Sequence, residues 1–101
     1  MKMDAKTRIK VELLTQAARR VAYAYYNKAT DACTLLERPF SLEGSELIAV
    51  VALMKKEPDG KPLIEHELMP GTSEEMGEKV EEIFKRVLLR DGTVELDSPV
   101  N

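Results

Sequence analysis

Residues 11–36 read VELLTQAARRVAYAYYNKATDACTLL, and the interpretation of the fold turns on this stretch. Apolar and small residues recur in it at spacings of three and four, which is typical of one buried helix face. The stripe comprises Val11, Leu14, Ala18, Val21, Tyr25, Ala29, Ala32 and Leu36. It predicts a long first helix from about Ala5 to Leu36, capped by Asp4. If this helix is interrupted, the weak helix formers at Asn27, Thr30 and Asp31 mark the break.

The length of this predicted helix indicates self-association. A helix over this range is about 48 Å long, whereas a compact domain of this size is only about 33 Å across. Part of the stripe then needs cover from outside the monomer. The residues predicted to mediate self-association are Val11, Leu14, Ala18, Val21, Tyr25, Ala29 and Ala32.

A β-hairpin is predicted in the middle of the chain. Residues 47–54, LIAVVALM, suit either a buried strand or a short buried helix. The residues that follow favour the strand, because 57–60 (EPDG) resemble a type I turn and 63–68 alternate between apolar and polar side chains. Residues 47–68 therefore predict two antiparallel strands.

The last helix has the clearest signals. Thr72 and Glu75 form a capping-box pattern at its start, and Gly92 is a natural stop. Its inward face is predicted to consist of Met76, Val80, Ile83, Val87 and Leu88, with Phe84 beside them. Residues 93–96 (TVEL) predict a short final edge strand.

These elements predict a single α+β domain over residues 1–101. Its order is a long N-terminal helix, an antiparallel β-hairpin, a C-terminal helix and a short final strand. A small antiparallel sheet covered by helices on one face is the expected architecture.

The composition restricts the class of protein. The 101 residues are 44% hydrophobic and 33% charged, which suits a folded soluble domain. The longest apolar run is too short for a membrane span, which needs about 20 residues, and no segment resembles a signal peptide. A cytoplasmic protein without membrane association is expected. The single cysteine, Cys33, borders the stripe and is interpreted as a small buried hydrophobe.

No metal site, cofactor or catalytic centre is predicted. On a strand, Glu65 and Glu67 point away from His66, the sole histidine, so the three cannot converge on one ion. Gly77 is interpreted as a close-packing position against the sheet. We therefore expect a protein that is not an enzyme.

Charge is distributed unevenly along the chain. Residues 1–30 hold seven Lys/Arg against two Asp/Glu, whereas residues 31–101 hold eight against sixteen. Such polarity steers partners and favours head-to-tail packing of protomers.

The polar side of the predicted first helix is the best candidate surface. Arginine and tyrosine, which dominate interface hot spots, cluster there. The candidate partner- or ligand-binding residues are Arg8, Arg19, Arg20, Tyr23 and Tyr26.

Two functions follow from these patterns. The first is a non-catalytic interaction or regulatory protein that forms a homodimer or small homo-oligomer through its long N-terminal helix and binds another protein. The alternative is a small nucleic-acid or nucleotide binding protein that uses the Arg/Tyr face, because such residues stack on bases and contact phosphates. The sequence pI near 5.2 weighs against the alternative.

Overall fold

The structure is a computed structural model, and it describes residues 4–39, 43–55 and 63–93. Its elements are α1 (Ala5–Ala17), β1 (Ala18–Asn27), β2 (Ala32–Leu36), β3 (Ser45–Met54), β4 (Ile64–Leu68) and α2 (Glu74–Arg90). The strands form one antiparallel sheet in the order β2-β1-β3-β4. The α+β class and the order of helix, antiparallel strands and helix are confirmed.

The prediction of one helix from Ala5 to Leu36 is wrong. Helix α1 ends at Ala17, and the chain enters β1 at Ala18 without a loop. In residues 21–25 (VAYAY), larger side chains alternate with alanine, which is the period of a strand rather than a helix. Packing of both strand faces outweighs the helix propensity of alanine here, so tertiary context decides the conformation.

The weak helix formers at 27–31 build a hairpin turn instead of a kink. The Oδ1 atom of Asn27 accepts hydrogen bonds from the backbone N–H groups of Ala29 (2.9 Å) and Thr30 (3.2 Å). Asp31 has a φ of 55°, a left-handed conformation that aspartate tolerates better than most residues. The chain reverses between β1 and β2 as a result.

The two helices cover opposite faces of the sheet, so the prediction that helices cover one face is wrong. Phe84 of α2 packs in a cluster with Ala24 of β1 and Val51 of β3. Val11 of α1 packs with Tyr25 and Val50, which neighbour those residues on the same two strands. Because successive strand residues point to opposite faces, the sheet has an α1 face and an α2 face.

Strand β3 is the centre of the domain. It pairs with β1 and β4, and every residue from Leu47 to Leu53 is buried. The prediction of a hairpin that includes residues 47–54 is therefore confirmed as β3 and β4. The predicted turn at residues 57–60 lies outside the described residues.

The helix ends are set by local side-chain contacts. Asp4 caps α1 as predicted, because its Oδ1 atom accepts from the Thr7 N–H at 2.8 Å. That backbone hydrogen bond lowers the pKa of Asp4. For α2 the predicted cap at Thr72 is wrong, since Ser73 is the N-cap and its Oγ atom accepts from Met76. Gly92 follows α2 with a φ of 76° and confirms the predicted stop.

The buried face of α2 is centred on Phe84, which was predicted to lie beside that face. Gly77, Val80, Phe84 and Leu88 are its buried residues. Except for Thr93, the predicted strand at 93–96 lies outside the described residues.

Candidate interaction surface

The residues predicted to form one Arg/Tyr face are dispersed. Arg8 is exposed on α1, whereas the other four lie on β1. Tyr23 is on the α1 face of the sheet, opposite Leu36 of β2. Tyr26 is on the α2 face, and its hydroxyl donates to Asp31 at 2.6 Å, a bond that raises the pKa of the phenol. Because the two tyrosines lie on opposite sides of the sheet, the predicted shared face is wrong.

Arg20 joins β1 to the end of α2. Its Nη2 atom donates to Asp91 (2.7 Å) and Glu37 (3.0 Å), and its Nη1 atom donates to the Thr93 hydroxyl (2.6 Å). The hydrogen bond to Asp91 is the main reason that the pKa of Arg20 is raised. The neighbouring Arg19 donates to the Thr93 carbonyl oxygen at 3.2 Å. Two carboxylates offset the charge of Arg20, which gives phosphate binding at this position no support.

A small pocket lies beside Arg20, where β2 ends and β1 continues. Its volume is about 130 Å³. Leu35, Phe84 and Val87 contribute to its wall, with Glu37 and Asp91 at the polar side. Because pockets that hold drug-sized ligands typically measure about 300–1,000 Å³, this one suits at most a single side chain.

The residues predicted to form a self-association stripe also fail to share one surface. Val11 and Tyr25 are buried in the core under α1, and Leu14 and Val21 pack partly buried against them. The other three lie elsewhere. Ala18 is at the junction of α1 and β1, Ala29 is exposed in the hairpin turn, and Ala32 is exposed at the start of β2. The predicted helix from Ala5 to Leu36, whose length motivated self-association, does not form. That argument for assembly is therefore wrong.

Helix α1 carries an apolar ridge on its outer side. Ile9 and Leu13 are 57% and 62% exposed, and they are the exposed large hydrophobic residues within the described ranges. Each is two positions from the buried Val11, about 200° around the helix. The ridge therefore points directly away from the sheet. The predicted stripe already contained Val11 and Leu14 and so placed Ile9 and Leu13 on the opposite side of the helix, but the sequence analysis did not single out these two residues.

Cations flank this ridge. Lys6, Arg8 and Lys10 are all exposed on α1, against the single acidic residue Glu12. The first half of α2 has the opposite balance, with five glutamates and one lysine over residues 74–82. Lys85, Arg86 and Arg90 follow in the second half of α2, so the acidic patch is confined to the first half of this helix.

Strand β2 forms one edge of the sheet. Its sequence, ACTLL, contains no charged residue, whereas β4 at the other edge reads IEHEL. Cys33 and Leu35 are partly exposed on the α2 face, and Leu36 is partly exposed on the α1 face. Natural edge strands usually carry a charge, a proline or a bulge that prevents pairing with another chain. The absence of charge in 32–36 is the sequence signal that could have identified this edge.

Cys33 is the free thiol on this strand. Burial raises the pKa of its thiol. The environment therefore favours the thiol over the nucleophilic thiolate.

His66 is part of the contact between β4 and α2. Its Nδ1 atom contacts a carboxylate oxygen of Glu81. Gly77 lies above the ring, since a Cβ atom there would be 2.8 Å from Nε2 of His66 and 2.9 Å from Cδ2 of Leu68. This confirms the predicted close packing of Gly77 against the sheet. Across the described parts of the chain, no group of three or more His, Cys, Asp or Glu residues could hold a metal ion.

Comparisons with known proteins add no functional information. No protein-family model, no curated protein and no solved structure matches this chain. No helix within the described ranges is long and apolar enough to cross a membrane.

Proposed function

We propose that this chain is a non-catalytic interaction protein that binds another protein through the outer side of α1 and self-associates through a different surface. One observation carries the binding half of the proposal: Ile9 and Leu13 form an exposed apolar ridge one helical turn apart. Full burial of such a side chain is worth about 1.5–3 kcal/mol. Two of them side by side on a short helix offer a partner a compact apolar contact.

The charge around the ridge indicates the chemistry of the partner. Lys6 and Lys10 lie beside Ile9 and Leu13 on the outer side of α1. A partner surface with apolar side chains and a rim of Asp or Glu would bury the ridge and complement these cations. Such complementarity speeds association and excludes basic partners.

The most prominent polar side chains have structural partners, which supports a non-catalytic role. Arg20 binds Glu37 and Asp91, and His66 binds Glu81 between β4 and α2. These contacts join secondary-structure elements to each other. A surface contact on α1 uses none of them.

The binding half of the proposal is tested by capture from the native lysate with matched variants. Wild type, I9S/L13S and the control E78S/E82S, which alters an equally spaced exposed pair on α2, are immobilised and compared. We expect a partner that binds wild type and the control but is lost in I9S/L13S. Its retention should also fall as salt increases, because the surrounding contacts are ionic. If I9S/L13S retains every protein that wild type captures, α1 is not the binding surface.

The self-association half is tested by light scattering over a wide range of concentration. We expect a mass that rises above the 11.4 kDa of one chain as concentration increases. A mass that remains at 11.4 kDa throughout contradicts this half alone.

A further inference from the structure

We infer that two copies of this chain pair antiparallel through their β2 strands and join their sheets into one of eight strands. The inference rests on the proposed self-association and names its contact surface. The occupant of the β2 edge is a second copy of the same strand.

The first argument concerns the outer edge of β2, which no described strand covers. Within the described ranges, β2 pairs with β1 on one side and with no strand on the other. The strand spans five residues without a charge, a proline or an irregularity in its pairing with β1. Its backbone groups on the open side are therefore a template for another strand.

The second argument is that both faces of β2 retain apolar surface. Cys33 and Leu35 on the α2 face are only partly buried, as is Leu36 on the α1 face. An adjoining strand would cover part of these side chains and add cross-strand contacts. Since stable interfaces bury about 800 Å² per partner, a five-residue ladder provides only part of that area. The dimer is accordingly concentration-dependent.

The third argument is that β2 is self-complementary about Thr34. A twofold contact requires that if residue i meets residue j, then j also meets i. Antiparallel pairing about Thr34 places the two Thr34 residues opposite each other and Cys33 opposite Leu35 of the second copy. Each residue then meets one from the same face of the sheet, so the α1 and α2 faces continue across the twofold axis.

Flanking charges limit the ladder to these five residues. Asp31 precedes β2 and Glu37 follows it. The same pairing brings Asp31 of one copy toward Glu37 of the other, and like charges directly opposite each other are destabilising. The ladder therefore ends at Ala32 and Leu36. Within each chain, Tyr26 binds Asp31 and Arg20 binds Glu37.

The experiment uses opposite charges at the twofold axis. Thr34 is exposed, so T34K and T34E are expected to fold, which far-UV circular dichroism checks. Wild type should reach twice the 11.4 kDa chain mass at high concentration, whereas each variant alone should remain at 11.4 kDa. An equimolar mixture should regain the dimer mass, because the lysine of one variant then faces the glutamate of the other across the axis. Misfolding of either variant cannot produce that recovery.

A second measurement tests the register directly. In a C33A background, T34C should form an intermolecular disulfide on mild oxidation, because directly opposite residues have Cβ atoms about 4.5–5.5 Å apart. The matched control is E65C in the same background, which places cysteine on the exposed part of the other edge strand and should not cross-link.

The possible failures have different meanings. A wild-type protein that stays monomeric overturns both this inference and the proposed self-association. If wild type is dimeric but T34K is dimeric too, or if the T34K and T34E mixture stays monomeric, the β2 contact is overturned and self-association stands.

Discussion

His66 of β4 and Glu81 of α2 are in direct contact beneath the helix, with Nδ1 of the imidazole against a carboxylate oxygen. The two side chains are 18% and 32% exposed, so solvent screens their interaction only in part. The contact fixes the orientation of the ring at the place where Gly77 brings α2 close to β4. It therefore couples the position of α2 to β4.

We expect a measurable coupling energy between these two side chains. In a double-mutant cycle with H66A and E81A, the interaction should be about 0.5–1.5 kcal/mol, the net value of a typical hydrogen bond in a protein. Urea denaturation of wild type, both single variants and the double variant measures it. Additive effects of the two substitutions would show that the contact contributes nothing to stability.

Substitution of Gly77 by alanine should destabilise the protein despite the higher helix propensity of alanine. The added Cβ would lie 2.8 Å from Nε2 of His66, so the ring must move and its contact with Glu81 is strained. Overpacking of this kind costs about 1–3 kcal/mol. The control is E78A, an exposed substitution at the next residue, which should change the free energy of unfolding by less than about 0.5 kcal/mol. Equal stability of G77A and E78A would contradict the packing argument.

Arg20 should be difficult to replace, even by lysine. The guanidinium bonds simultaneously to Glu37, Asp91 and Thr93, a geometry that a single ammonium group cannot reproduce. We expect R20K to lower the free energy of unfolding in urea and R20A to lower it further, by about 1–2 kcal/mol in total. R8A on α1 is the exposed arginine control, with little change expected.

The raised pKa of Cys33 predicts a loss of stability at alkaline pH. The ordinary pKa of this thiol is 9.0, and burial holds the folded value higher. Between the two values the unfolded chain releases the proton and the folded chain keeps it, so unfolding becomes easier. This contribution to stability is full below pH 9 and falls as the pH rises through that window. The decline between pH 8 and about 10 should be smaller in C33A than in wild type in urea denaturation.

The sequence sufficed for elements whose signals are local. The final helix, the strand at residues 47–54 and the Asp4 cap were predicted because periodicity, turn residues and a capping side chain coincide there. The strands in residues 18–36 were not predicted, because alanine is compatible with a helix and with a strand. In a tract rich in alanine, residues spaced by three and four can be found even where no helix forms. The alternation of Val21, Tyr23 and Tyr25 with alanine was the stronger signal. The turn residues at 27–31 agreed with it.

The contacts and surfaces on the sheet could not be predicted because they depend on that choice. Once β1 replaces the helix, Tyr23 and Tyr26 separate onto opposite faces, and Arg20 meets Asp91 from a distant part of the chain. Ile9 and Leu13 are different, since helical spacing alone places them opposite Val11 whether the helix ends at Ala17 or at Leu36. The open edge of β2 can be identified only when the strand order is known.

The orientation of α1 itself predicts opposite effects for neighbouring positions. Val11 is 6% exposed in the core under α1, whereas Ile9 and Leu13 point to solvent. We expect V11A to reduce the free energy of unfolding by about 2 kcal/mol through lost burial and a residual cavity. I9S and L13S should each change it by less than about 0.5 kcal/mol, as surface substitutions do. Urea denaturation of the three variants tests the orientation at low protein concentration, where association contributes least. If I9S or L13S were as destabilising as V11A, the ridge would belong to the core, and the docking surface on α1 would be lost with it.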